Sequence, residues 1–335
     1  MKRFLSLVLC LMMVLSLTAC GGSQEEPVKL VIYTSEPQDL VTEMLEDFKA
    51  KTGIEYELYR SGTGDVKTKI SGELEADGKT LANIVWFADL AYMYQLDDKG
   101  LLYHYTPDAA KDLPDAYKYN DGMGHEVRAI YTVLAYNTLA IDEANAPKDW
   151  MDVTTEAYKG KVALANPAYS GGAMTALSAH IENSDKVGWD WYNALAANDA
   201  KMETSNGTLS TKVASGEYNA VVIVDYLPRN AMTVGSPVDY VYPASGSVLI
   251  NTPLCIVNTE DEAVLEAAEK FVNYMFEEET QKLFVEQGYV PMNSAAAAGS
   301  NVPTYDQITV LPATAEFMQK NTSDMQAQFL NIFGE

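Results

Sequence analysis

The chain has 335 residues, of which 47% are hydrophobic and 21% charged, an ordinary composition for a globular protein with room for two packed lobes. Its formal net charge is −24 at pH 7, and so acidic a surface repels nucleic acid and anionic lipid headgroups, which excludes both as partners. An anionic small molecule is not excluded, because helix N-termini attract anions locally.

The N-terminal residues have the features of an export signal. Lys2 and Arg3 precede an apolar run over residues 4–17, which is too short to span a membrane. The run ends in Leu17-Thr18-Ala19-Cys20, which resembles the lipobox of bacterial lipoproteins, where the cysteine sulfur receives a diacylglycerol and the cysteine becomes the new N-terminus. A soluble exported protein with an incidental cysteine is the alternative.

We therefore predict a lipoprotein signal peptide over 1–19, followed by the lipidated Cys20 and a flexible linker over 20–28. The mature protein is predicted to lie outside the cytoplasm, held to the membrane through this lipid only. Of the three cysteines, only Cys255 then belongs to the folded part, so no intramolecular disulfide is expected.

After the linker, strands and helices alternate along the chain. In the first series each predicted helix ends at a glycine; the strands cover 29–33, 54–59 and 84–87, and the helices 38–51, 65–76 and 89–99. The second series has strands over 131–136, 162–165, 220–224, 239–242 and 247–257, and helices over 172–181, 187–195, 207–214, 262–276 and 314–329. This alternation predicts an α/β fold with mostly parallel sheets.

Four turns that lead from a strand into a helix share hydroxyl side chains and glycines. In open α/β sheets, ligands bind beyond the carboxyl ends of the strands, and free backbone N–H groups at helix N-termini bind anions. The candidate residues are Ser35 in the first turn, Ser61, Thr63 and Gly64 in the second, Ser170, Gly171 and Gly172 in the third, and Asn206 in the fourth.

Each of these turns, taken singly, is better interpreted as an ordinary helix cap than as a ligand contact. Ser35 with Gln38 fits a capping box, and Thr63 or Asp65 fits a simple N-cap. The presence of four such turns on one edge favours a shared oxyanion site.

The sequence offers little for catalysis. His104, His125 and His180 lie in unrelated settings, and the chain has no nucleophile elbow, P-loop or zinc-protease motif. We predict a binding protein without a cofactor rather than an enzyme; a lipoprotein that cleaves phosphate esters is the alternative.

Eight short segments in order carry a family resemblance. They are VIYTS (31–35), FKAKTGI (48–54), RSGTGD (60–65), IVWFAD (84–89), YN (136–137), SGEY (215–218), YPASG (242–246) and GYVP (288–291). The ordered set resembles the solute-binding proteins of ABC importers, in the branch that binds ferric iron, phosphonates, organophosphates and polyamines.

The resemblance implies a two-lobe, type II periplasmic-binding-protein fold, in which each lobe has a mostly parallel sheet flanked by helices. Two crossing strands, near 128–136 and 242–250, join the lobes and act as a hinge. The implied N-terminal lobe covers 29–130 and 247–292, and the C-terminal lobe 131–246 and 293–335. A monomer would bind a small solute in the cleft between the lobes, close, and deliver the solute to an ABC permease and its ATPase.

Members of this family branch bind different ligands, so the resemblance alone does not identify the ligand of this protein. Ferric binders of this family offer an acidic or histidine ligand after the first strand, a glutamate after the third, and two adjacent tyrosines. Here the first ligand position has Glu36 or Gln38. The glutamate expected after the third strand is missing, since that position has Ala88 or Asp89. Of the two adjacent tyrosines, only Tyr226 is present, and Leu227 replaces the second. The arginine that holds a synergistic carbonate in ferric binders is also out of register, with Arg128 the nearest.

We therefore predict an organophosphate or phosphonate ligand, held by the turn residues together with Asp89 and Tyr226. The second hypothesis is that Glu36 and Tyr226 bind ferric iron, and the third is that the ligand is a polyamine. With a ligand that carries an amine, Asp89, Asp225 and Glu36 would contact the amine.

Overall fold

The computed structural model describes residues 28–334, and the statements below concern this range. The predicted signal peptide and Cys20 lie outside it. No helix within 28–334 is both long enough and apolar enough to cross a membrane.

The first sheet has seven strands. They are β1 (Lys29–Thr34), β2 (Glu55–Arg60), β3 (Ile84–Trp86), β4 (Leu102–Tyr103), β5 (Lys118–Tyr119), β6 (Gly124–His125) and β14 (Leu254–Val257). The order is β2-β1-β3-β14-β6-β5, with β4 also paired to β14. β1 runs parallel to β2 and β3, whereas β14 returns antiparallel to β3.

Three helices follow the parallel strands of this sheet: α1 (Gln38–Thr52), α2 (Thr63–Asp77) and α3 (Leu90–Asp98). The apolar residues of α1 recur at helical spacing and are buried, at Leu40, Val41, Met44, Leu45 and Phe48. Because each helix starts where a strand ends, its N-terminus lies at the carboxyl edge of the sheet.

The second sheet has five strands: β8 (Thr132–Asn137), β9 (Val162–Ala165), β10 (Lys201–Glu203), β11 (Ala220–Val224) and β12 (Val238–Val241). Their order is β10-β9-β11-β8-β12, and β8 is antiparallel to both of its neighbours. The associated helices are α4 (Gly171–Glu182), α5 (Gly188–Ala197), α6 (Asn206–Ala214) and α7 (Tyr226–Thr233).

The remaining elements connect or cover the two sheets. Short strands pair as β7 (Arg128–Ala129) with β15 (Val290–Pro291), and as β13 (Ser247–Val248) with β16 (Val310–Leu311). α8 (Glu262–Met275) packs on the first sheet and is followed by α9 (Glu278–Glu286). The last helix, α10 (Ala315–Phe333), packs on α4 and α5 and also contacts α3.

The chain crosses between the sheets twice, and the two crossings are bonded to each other. Tyr131 forms an antiparallel bridge with Leu249, and Ile250 N donates to the carbonyl of Ile130 at 2.9 Å. Two sheets joined by two adjacent crossing segments confirm the predicted fold class. The residue limits of the two lobes stay a prediction.

The prediction of one continuous strand over 247–257 is wrong. It divides into β13 and β14, with residues 249–253 lying in the crossing between them. Pro253 has no N–H to donate to a ladder, and the chain leaves one sheet for the other at this point.

Glu126 lies beside these crossings and is completely buried. Its carboxylate accepts hydrogen bonds from the Tyr119 hydroxyl at 2.6 Å and from the Thr252 backbone N–H at 2.7 Å. Burial nevertheless raises the pKa of Glu126 to about 7, because desolvation outweighs these hydrogen bonds and the nearby charge of Arg128.

The raised pKa of Glu126 predicts a specific pH dependence of stability. Between the ordinary pKa of 4.5 and the folded value of about 7, the folded protein keeps a proton that the unfolded chain has released. The free energy of unfolding should therefore fall with rising pH in this window, by up to about 1.4 kcal/mol per pH unit from this group. Urea denaturation of wild type and Glu126→Gln at several pH values measures it.

Glu126→Gln should flatten the fall between pH 5 and 7, whereas the exposed variant Glu75→Gln should keep the wild-type profile. Equal profiles for wild type and Glu126→Gln would contradict the assignment.

Candidate functional site

A cavity of about 540 Å³ lies where α2, α3, α4 and α10 meet. Its walls include Thr63 and Gly64 from the second turn, Asp89 from the end of β3, and Gly171 from the third turn. Lys67 and several residues of α10 complete the lining, and the sequence analysis singled out none of these. Three separate strand ends thus contribute to one cleft.

The first and second turns are joined by their hydroxyl groups. Thr63 Oγ1 donates to Ser35 Oγ at 3.1 Å, and both side chains are half-buried. Ser61 Oγ instead donates to Asp65 Oδ2 at 2.7 Å. Ser35 and Thr63 therefore form one hydroxyl pair at the start of α2.

The capping alternatives for these two turns are wrong. The N-cap of α1 is Pro37 and that of α2 is Gly62, and neither helix has a side-chain cap. Thr63 is the first residue of α2, so its hydroxyl does not satisfy the N–H groups of the first turn. Those groups, whose partial charges are positive, remain available at the cleft.

The third turn caps its helix and also approaches the first sheet closely. Ser170 Oγ accepts from the backbone N–H of Ala173 at 3.2 Å, as an ordinary N-cap does. A Cβ atom at Gly171 would lie 3.1 Å from the carbonyl oxygen of Ala88, on the opposite side of the cleft. A glycine at 171 is what permits this approach.

Gly172 and Asn206 lie together, but not in the main cleft. They line a small space of about 20 Å³ between α4, α5 and the second sheet. Asn206 Oδ1 accepts from the Val224 N–H at 3.3 Å, and the cap of α6 is Ser205, which accepts from Thr208 N at 3.1 Å. The structure thus gives the fourth turn a local hydrogen-bonding role.

Asp89 lies in the cleft, and its carboxylate already binds two groups of the protein. It caps α3 by accepting from Tyr92 N at 2.9 Å, and it forms an ion pair with Lys67 Nζ at 2.5 Å. Lys67 lies one helical turn after Thr63 on α2, so it brings a positive charge to the same wall.

A buried ion pair joins the first turn to the crossing segment. The Arg128 guanidinium binds the Glu36 carboxylate, and the two side chains are only 1% and 5% exposed. Arg128 also donates to Thr252 Oγ1 at 2.9 Å and lies over the Tyr289 ring, 4.6 Å from its centroid. Arg128 is out of register with the family pattern in the sequence, and its contact with the first turn could not be predicted, because only the fold brings β7 there.

Tyr226 lies beside this ion pair and against a second tyrosine. The ring centroids of Tyr226 and Tyr289 are 4.5 Å apart. Burial raises the pKa of Tyr226, and the charge of Arg128 opposes that shift. Tyr289, from a distant segment of the chain, therefore places a second phenol beside Tyr226, although the residue next to Tyr226 in the sequence is Leu227.

Asp225 is not available to a ligand. It is completely buried, and its carboxylate accepts from Tyr131 N at 3.0 Å, from Arg229 at 2.8 Å and from the Tyr242 hydroxyl at 2.9 Å. The expectation that Asp225 contacts a ligand amine is wrong, and Glu36 is likewise committed to Arg128.

Comparison with known proteins agrees with this architecture. A family model described as bacterial extracellular solute-binding protein matches residues 43–310. A probable ABC transporter periplasmic-binding protein of Sinorhizobium fredii is 30% identical over 186 residues. That match spans 52% of this chain and 51% of the relative, so it covers about half the length of each.

Two solved structures share the fold at low sequence identity. Iron-bound HitA from Pseudomonas aeruginosa has a TM-score of 0.76 at 20% identity, and the match covers 90% of this chain and 99% of HitA. AfuA from Actinobacillus pleuropneumoniae, with fructose-6-phosphate bound, has a TM-score of 0.75 at 20% identity, covering 92% of this chain and 99% of AfuA. The family model covers most of the chain, so the chain belongs to the bacterial extracellular solute-binding proteins.

Proposed function

We propose that this protein captures a small oxyanion of the organophosphate or phosphonate class and carries it to the permease of its importer. The observation that carries the proposal is the convergence of α2 and α4 on one cleft. Both helices present their N-termini there, and α2 does so without a side-chain cap. A phosphate group needs donors, and these N–H groups with the Ser35–Thr63 hydroxyl pair provide them.

The size and charge of the cleft refine this proposal. A volume of about 540 Å³ exceeds what a bare anion fills and suits an organic molecule that carries the anionic group. Asp65 and Asp89 also line the cleft. Lys67 is paired with Asp89 and Ser61 donates to Asp65, and the lone pairs that remain on the two carboxylates would accept hydrogen bonds from ligand hydroxyl or amino groups.

Binding is proposed to close the two lobes on the ligand. Gly171 and Ala88 touch across the cleft, and the cavity beside them is lined by α2 and α3 on one side and by α4 on the other, so a ligand in it contacts both sides at once. Such a ligand stabilises the closed form by the contacts that it makes only there. The permease, with its ATPase, would then take the solute from the closed monomer.

Removal of the hydroxyl pair tests the oxyanion site. Ser35→Ala with Thr63→Val deletes both hydroxyl groups, including the Ser35 O–H that is free to donate to a ligand, while leaving the backbone of both turns. Hydrogen bonds to a charged group are worth about 1.5–3 kcal/mol each, so affinity for a bound phosphate compound should fall by 10-fold or more. Isothermal titration calorimetry with inorganic phosphate, methylphosphonate and glucose 6-phosphate provides the measurement.

Thr68→Val is the matched control, because Thr68 lies on the same helix and its hydroxyl donates to the Gly64 carbonyl at 2.9 Å. It should bind like wild type. Full affinity in the double variant would remove the first two turns from the site.

Ferric iron is the second candidate, and one observation favours it. Tyr226 and Tyr289 lie together beside Glu36, and phenolate and carboxylate oxygens are suitable ligands for a hard cation. Against it, Glu36 is held by Arg128, whose positive charge would face the metal. Iron binding would therefore require this ion pair to open.

A ferric titration separates the two candidates. With ferric nitrilotriacetate added to the apo protein, we expect no tyrosinate-to-iron absorption band in the visible range. A band that appears in wild type and is lost in both Tyr226→Phe and Tyr289→Phe would contradict the oxyanion proposal and establish iron. Tyr169→Phe, an exposed tyrosine outside this pair, is the control.

We also propose that Cys20 carries the lipid that anchors the protein outside the cytoplasm. Cys20→Ala should release the protein from the membrane fraction and abolish labelling by radioactive palmitate. Cys255→Ala, which changes a buried thiol instead, should leave both unchanged. Membrane attachment of Cys20→Ala at the wild-type level would exclude the anchor.

A further inference from the structure

One wall of the main cleft is formed by the last helix, α10, which the sequence analysis did not connect with binding. Its contribution is a stripe of uncharged polar residues, Gln319, Thr322 and Gln326. Their spacing of three and four residues places them on one side of the helix. The buried residues Met325 and Phe329 fix the orientation of α10, so the stripe is held in position.

The stripe has donors and acceptors but no charge. Thr322 Oγ1 donates to the Met318 carbonyl at 2.6 Å, so its lone pairs are what it can offer to the cleft. Gln326 Nε2 donates to the Pro167 carbonyl at 3.2 Å, which leaves a second N–H and its amide oxygen. Such a surface suits groups that both donate and accept, and hydroxyl groups do both.

Two further residues extend this wall. Gln95, on α3, adds another amide, and Tyr169 lines the cleft with 74% of its surface exposed. An exposed aromatic ring beside amides and hydroxyls can pack against the C–H face of a sugar ring while the amides bind its hydroxyls. The charged residues of α10, such as Lys320 and Asp324, do not line the cleft.

We propose that α10 forms the polyol half of the binding site, so that the ligand is a sugar phosphate. This proposal rests on the oxyanion function proposed above and names the organic part of that ligand. The phosphate would bind at the N-termini of α2 and α4, and the hydroxyl groups would bind the stripe of α10. A simple alkylphosphonate would leave the amides of the stripe without partners when the cleft closes, and a site of this kind rejects such ligands.

The test uses the mature chain and four probes: glucose 6-phosphate, inorganic phosphate, methylphosphonate and glucose. In wild type, glucose 6-phosphate should bind at least about 10-fold more tightly than inorganic phosphate or methylphosphonate. In Gln319→Leu with Thr322→Val, affinity for glucose 6-phosphate should fall about 10-fold or more, while affinity for inorganic phosphate should stay within about twofold. Gln326 is left intact because its bond to the Pro167 carbonyl joins α10 to the turn before α4, whereas the backbone bond of Thr322 lies within α10.

Gln328→Leu is the matched control, since Gln328 lies on the exposed side of the same helix and should bind every probe like wild type. Thermal unfolding of all variants shows whether α10 still packs.

Equal binding of glucose 6-phosphate and methylphosphonate in wild type, or an equal loss for all phosphorylated probes in the variant, would overturn the polyol site while leaving the oxyanion function standing. Failure of every phosphorylated probe to bind would instead overturn the oxyanion function, and the polyol site with it.

Discussion

The buried pair of Arg128 and Glu36 is the constraint on which the arrangement of the site depends. Arg128 lies in β7, just before the crossing between the sheets, and Glu36 lies two residues after the end of β1. Removal of one member of such a pair costs about 3–5 kcal/mol, because the other charge stays buried alone. The pair therefore holds the first turn against the crossing, and Ser35 next to Glu36 meets Thr63 as a result.

The sequence predicts the parts of this fold that depend on local periodicity. β9 and β11 have the predicted limits, because each is a short, continuous apolar run. No element is predicted over Tyr226–Thr233, where α7 forms. Pro228 is tolerated there because it lies in the first turn, where backbone N–H groups have no helical partner. Arg128 and Tyr289 could not be assigned to the first turn, nor the stripe of α10 to the cleft, because distant parts of the chain bring them there.

The two ligand chemistries considered for this protein use different parts of the same region. The hydroxyl pair, Lys67 and the helix N-termini are donors, which an oxyanion needs. The two phenols and Glu36 are acceptors once ionised, which a cation needs. Burial raises the pKa of Tyr226 and of Tyr289, so loss of their protons is disfavoured without a metal. The donor groups, in contrast, need no change of protonation before they can bind an anion.

The position of α10 connects selectivity with closure. The helix packs on α4 and α5, which belong with the second sheet, and it also contacts α3, which follows a strand of the first. A ligand group bound to α10 therefore influences contacts on both sides of the cleft. A ligand shifts the equilibrium between the open and closed forms only by its difference in affinity for the two. A compound that does not contact α10 would therefore stabilise the closed form less than one that does. Recognition of the organic part and delivery to the permease would then be governed by the same helix.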